Sequence, residues 1–196
     1  MARTRDIESQ REALSAATWS VLAEGGISRF TLRAVAMRAG CTTGLVLHTF
    51  PDRHALLVHA RQRLRDKAVD RVEAAEQRAT DPKEALTEVL LHVLALGTEW
   101  SDEPRIWVSF LAASLDDTEL ARHHREGNRA LLARTARLLA DWRIDWNESQ
   151  VRPAATSLVA LVEGLNVLGV GDPESYPPRA QREAVLAAVD ALENRP

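Results

Sequence analysis

The segment CTTGLVLHTF, Cys41–Phe50, is fenced by helix breakers, Gly40 before it and Pro51 after it. Between these stops there is room for about two helical turns, whereas an isolated helix needs roughly 12–15 residues to persist in water. A helix this short must be held by its neighbours, so the chain around it has to supply a packed frame. The neighbours read as helices with matching boundaries. Thr31 is placed to cap a helix that Gly40 ends, with Phe30 and Val35 at the positions of a hydrophobic staple. Thr42 is placed to cap the short helix, Cys41 and Val46 form a second staple, and Asp52 caps the helix that follows.

Two short helices joined at Gly40 form a helix-turn-helix pattern. Ala36 is small enough for a close crossing, and Gly40 permits a left-handed turn. Val35, Val46 and Phe50 fall on the inward side. Counting 100° per residue from Val46, Gly44 and His48 lie nearly opposite, and Thr43 and Leu47 lie to one side. Thr42, Thr43, Gly44, Leu47, His48 and Thr49 are therefore the candidate DNA-contacting residues of a recognition helix. Arg33 and Arg53, with Arg3 and Arg5 in the amino-terminal arm, are candidate phosphate contacts that position the protein without reading sequence.

Charge distribution supports that assignment. The net charge of −3 argues against polyanion binding, but it is unevenly spread. Residues 1–65 carry ten arginines against five acids, a balance of +5; the remainder carries 15 basic residues against 23 acidic, a balance of −8. A basic front and an acidic back point to two jobs.

The rest of the chain is also read as helix, because Ala, Leu, Arg and Glu dominate and no alternating apolar run is bounded by turns. The expectation is an all-α protein of about nine helices. A helix over 5–23 is stopped by Gly25-Gly26, with Ile7, Leu14, Ala17 and Val21 as its apolar stripe. A long fourth helix runs towards Ala79. Asp81, Pro82 and Glu84 start the next as cap, first residue and capping-box partner. Later helices are placed at 104–115, 117–145, 148–170 and 178–194. A helix-turn-helix domain over 1–51 is thus followed by a larger helical domain over 52–196, connected by the fourth helix.

Within 148–170, Ala154, Leu158, Leu161, Leu165 and Leu168 make one apolar row, and Ala155, Val159 and Val162 a second. One row can pack inside the subunit and the other against a partner, with Val185, Ala188, Val189 and Leu192 of the last helix; alternatively, both helices complete a monomer core. Glu163 and Asn166 are polar groups in this apolar helix and need partners if buried. They interrupt its apolar run, which argues against a membrane span. Trp107 is either core or pocket wall, and a cationic ligand would suit it together with Glu163. Trp142 and Trp146 more simply seal a helix end. One cysteine, Cys41, excludes an internal disulfide framework, and the charged start has no secretory pattern, so the expected location is cytoplasmic. No enzyme is expected. Cys41 sits in the turn without an arguable histidine partner, His123 and His124 diverge on a helix, and there is no phosphate-binding glycine loop; no cofactor or metal is expected.

The segment FTLRAVAMRAGCTTGLVLHTFPDRHALL, Phe30 to Leu57, resembles without a gap the DNA-binding signature of TetR-family transcriptional regulators, including Thr31, Ala36, Ala39, Gly40, Gly44, Phe50, Asp52 and Leu56. It departs from the signature at Leu47, where the family usually has tyrosine, and at Arg53, where it usually has lysine. The segments from Pro104 to Leu139 and from Ala160 to Leu192 are similar to the carboxy-terminal domain of the BetI-like branch. The resemblance implies an effector-responsive repressor that binds a palindromic double-stranded DNA operator as a homodimer through the last two helices. It also implies an effector pocket, unknown in ligand, with Trp100, Trp107, Phe110, Glu163 and Asn166 as candidates. Leu47 motivates the alternative, a small-molecule binding or interaction protein with weak or lost DNA binding.

Overall fold

The computed structural model describes residues 2–96 and 101–193, with side chains from Ile7 onward. Nine helices and no strand occur among the described residues: α1 Ala2–Arg29, α2 Leu32–Arg38, α3 Thr43–Thr49, α4 Arg53–Arg78, α5 Pro82–Val93, α6 Glu103–Ser114, α7 Thr118–Trp142, α8 Glu148–Gly171 and α9 Pro178–Glu193.

Local chemistry sets the boundaries near the short helix. Thr31 Oγ1 accepts the Ala34 N–H at 3.1 Å and so caps α2. At the other end of α2, Gly40 takes φ +65°, its N–H donates to the Met37 carbonyl at 3.3 Å, and the Cys41 N–H donates to the Ala36 carbonyl at 2.9 Å. This pair of bonds around a left-handed glycine is a Schellman motif, and it turns the chain directly into α3. Thr42 Oγ1 caps α3 through the Leu45 N–H at 3.2 Å, and Asp52 Oδ1 caps α4 through the Ala55 N–H at 2.7 Å.

Three expectations about α1 and α5 need correction. α1 does not stop at Gly25-Gly26. It kinks there, with only Gly26 leaving helical geometry (φ 64°, ψ −168°), and continues to Arg29. A single left-handed glycine redirects the helix, and the residues after it re-enter helical geometry. Ile7, expected in the inward stripe, is 46% exposed. At the start of α5, Asp81 caps as expected, but Glu84 reaches past it to accept both the N–H and the hydroxyl of Thr80, each at 2.7 Å.

The chain forms two compact units. The first comprises the residues through Lys67 with Arg105–His124. Its core joins Leu14 and Val21 of α1, Val35 of α2, Val46 of α3, Phe50, Leu56 of α4 and Phe110 of α6, all buried. The second comprises Ala68–Pro104 and the residues from Arg125 onward. Its core is built from α5, α8 and α9 with Leu138 and Leu139 of α7.

In α8 the two expected apolar rows do not separate. Ala154, Leu158 and Leu165 of one row are buried beside Ala155 and Val162 of the other, while Leu168 is 44% exposed, as is Val167. The residues turned inward follow a broad helical stripe, wider than one heptad-like row. α8 is long and apolar enough to cross a membrane by length and composition, and 33% of its most apolar window is buried within the chain.

Candidate nucleic-acid interface

α3 is pinned from below and displayed from above. Val46 is fully buried, Phe50 is nearly so, and the Phe50 N–H closes on the Val46 carbonyl at 2.8 Å. The Phe50 ring lies 5.0 Å from the His59 ring of α4, and His59 Nδ1 is hydrogen-bonded to Ser15 Oγ of α1 at 3.0 Å. Burial, followed by the nearby Arg11 charge, lowers the His59 pKa below its ordinary value. A neutral imidazole therefore joins the end of α3 to α4 and α1. Sequence inspection missed this anchor because its three members are spread over 44 residues of chain.

On the outer side, Thr42, Gly44, Leu47 and His48 are exposed, and Thr43 and Thr49 are half-buried. The Thr49 hydroxyl donates back to the Leu45 carbonyl at 2.9 Å, so it is occupied within the helix. Leu45, which the sequence reading left out, is 39% exposed, and Leu47 is 48% exposed. An alanine-like Cβ at Gly44 would meet only Thr42 Oγ1, at 3.7 Å, so the outer side of α3 is open at this point.

Arg33 is exposed on α2. Arg53, also exposed, has a definite orientation: its Nε donates to the Phe30 carbonyl at 3.0 Å, and its guanidinium carbon stands 4.6 Å from the centre of the Phe30 ring. One face of the cation is thereby fixed to Phe30, the residue before the α2 cap. Arg38 is paired with Glu24 across α1 and α2. Arg3 and Arg5 have side chains outside the described residues.

The candidate ligand residues divide between the units. Trp107 and Phe110 pack in the first, with ring centres 6.2 Å apart and tilted by 59°. The Arg61 guanidinium lies 5.7 Å from the Trp107 ring, so this tryptophan already has a cation from its own chain. Glu163 and Asn166 belong to the second unit. Spaced three apart on α8, they are neighbours on one face. The Asn166 amide donates to the Val93 carbonyl at 3.2 Å, and its Oδ1 is buried with no hydrogen-bond partner among the described residues. Burial raises the Glu163 carboxyl pKa. Trp100 lies outside the described residues. Among the described residues, no group of His, Cys, Asp and Glu is arranged to hold a metal ion.

A buried ion pair in the second unit also escaped the sequence reading. Arg71 donates to both Glu103 oxygens at 2.8 and 2.9 Å and to the His92 carbonyl at 3.4 Å. The two side chains are 12% and 7% exposed.

Two parts of the chain match families of known proteins. Residues 14–60 match the family of bacterial regulatory proteins designated tetR. Residues 82–193 match the family described as BetI-type transcriptional repressor, C-terminal. The chain is 32% identical over 167 residues to the transcriptional regulator BetI of Stenotrophomonas maltophilia, covering 82% of this chain and 81% of that one. It is 26% identical over 192 residues to the regulator PksA of Bacillus subtilis, covering 98% and 94% of the two chains. A crystal structure of a transcriptional regulator from Rhodococcus has a TM-score of 0.83 and 28% identity, with 92% and 94% of the chains covered.

Proposed function

Since the chain belongs to the TetR family of transcriptional regulators, with a BetI-type carboxy-terminal domain and a DNA-binding rather than enzymatic role, we propose that it is an effector-responsive repressor acting as a homodimer on a palindromic operator. The observation that carries this reading is the display of α3. Its apolar residues are locked into the core, and Thr42, Thr43, Gly44, Leu47 and His48 are left on the outer side. Such a helix fits the major groove, one per half-site, with Thr49 at its end. Arg33 and Arg53 hold phosphates on either side. The tie of Arg53 to Phe30 supports this role, because an oriented guanidinium loses little freedom on meeting a phosphate.

The dimer forms through α8 and α9. Val167 and Leu168 leave apolar surface on a helix whose other side is buried, and a second copy would cover it. The effector is a small molecule that engages the second domain, donating a hydrogen bond to Asn166 Oδ1 beside Glu163. It acts by binding one geometry of the dimer more tightly than another, shifting the population away from the spacing that matches both half-sites. These events take place in the cytoplasm.

Footprinting of the full-length protein on the DNA beside its own gene tests the reading. Two protected half-sites related by two-fold symmetry are expected, with a dimer mass in sedimentation at micromolar concentration. Arg53→Ala should weaken binding to every sequence and reduce the slope of log affinity against log salt by about one. A monomer in sedimentation contradicts the interface through α8 and α9. The alternative, a binding protein without DNA activity, would leave every fragment unprotected.

A further inference from the structure

Between Cys41 and Phe50 the chain has no arginine, lysine, asparagine, glutamine or acid. Those are the side chains that read guanine, adenine or cytosine edges in the major groove, the first four of them through paired hydrogen bonds. The hydrogen-bonding groups that remain are three threonines and His48. Two of the threonine hydroxyls are engaged in the helix itself: Thr42 Oγ1 accepts the Leu45 N–H at 3.2 Å, and Thr49 Oγ1 donates to the Leu45 carbonyl at 2.9 Å. Thr43 and His48 are left for polar contacts.

Apolar surface is the larger resource on this side. Leu47 is 48% exposed, although Val46 beside it is fully buried. Leu47 follows Thr43 by four residues, so the isobutyl group and the threonine methyl are neighbours on one face. Gly44 adds no side chain to obstruct an approaching surface, and only Thr42 Oγ1 lies within 4 Å of where its Cβ would be. In the major groove of a duplex, the apolar group that marks a base is the C5 methyl of thymine.

We propose that α3 reads thymine methyls, with Leu47 as the specificity-determining residue and the Thr43 methyl beside it. This rests on the DNA-binding reading above and assigns what the helix recognises. The side chain that cannot donate to a phosphate serves instead as an apolar probe. Covering it with a methyl group removes apolar surface of both partners from water.

The test uses the full-length protein and a pool of random duplexes. Sequences enriched by the protein are remade with each thymine replaced in turn by deoxyuridine, which removes the methyl and leaves pairing unchanged. The expected result is one or two positions per half-site where the replacement weakens binding by about three- to fivefold, the scale of one buried methyl. Leu47→Ala should still select DNA but bind the thymine and deoxyuridine forms equally. Leu47→Met should keep the discrimination. Uniform tolerance of deoxyuridine, or a Leu47→Ala variant that discriminates as well as the parent, overturns the assignment while leaving the regulator reading intact. A pool with no enriched sequence removes both.

Discussion

The segment around α3 and the second unit organise polar groups over different distances. From Phe30 to Leu56 each cap is near what it caps: Thr31 with Ala34, Ala36 with Cys41, Thr42 with Leu45, Asp52 with Ala55. The second unit has local caps of its own, at Asp81 for example, but adds buried partners that are remote in the chain: Arg71 with Glu103, Asn166 with the Val93 carbonyl, Arg143 with the Leu192 carbonyl. Local caps make a stiff frame that can leave its outer residues free for a duplex. Long-range polar pairs fix an interior, and an unpaired member such as Asn166 Oδ1 becomes a place where a ligand can add something.

That contrast predicts unequal costs of mutation. Removing one partner of a buried pair leaves a charge without compensation, so Glu103→Ala should cost about 3–5 kcal/mol in denaturant unfolding. Replacing both members, Arg71→Met with Glu103→Leu, should recover most of the loss. A small effect for Glu103→Ala would mean that long-range pairs matter no more than local caps.

Around α3 the costs should be smaller. Gly40→Ala forces a side chain into the left-handed region and should cost about 1–2 kcal/mol. Thr42→Ala, which removes one cap, should cost about 1 kcal/mol. Both should reduce DNA affinity by more than their stability cost alone implies, because they loosen the helix that is displayed.

The smallest effect has a pH signature. Burial raises the Glu163 pKa, so between its unfolded and folded values the folded chain holds the proton more tightly. Stability contributed by this group therefore falls as pH rises through that window, and the penalty is complete above the folded value. Glu163→Gln should raise the Tm by about 2 °C at pH 7. It should do nothing at pH values well below about 4.3, where the carboxyl is protonated in both states. An equal gain at both pH values would trace the effect to packing.

The same contrast explains what was legible in the sequence. Thr31, Gly40, Thr42 and Asp52 announced the helix boundaries because each acts on residues within five positions, and the nine helices followed from similar punctuation. Gly26 was misread as a stop because a glycine ends a helix only if the residues after it do not resume one. The Ser15–His59–Phe50 anchor and the Arg71–Glu103 pair were invisible, since no spacing rule links residues brought together by packing. The mixing of the two rows on α8 was hidden for a related reason: which apolar residues turn inward depends on α5 and α9.

The most direct test of the account is a fluorescence anisotropy titration of the full-length protein against the DNA beside its own gene and a scrambled duplex of equal length, at 50 and 200 mM salt. Tight binding to the first is expected, much weaker binding to the second, and a steep loss of affinity for both as salt rises. Equal affinity for the two duplexes would contradict readout by α3, and absence of binding to either would contradict the DNA-binding role itself.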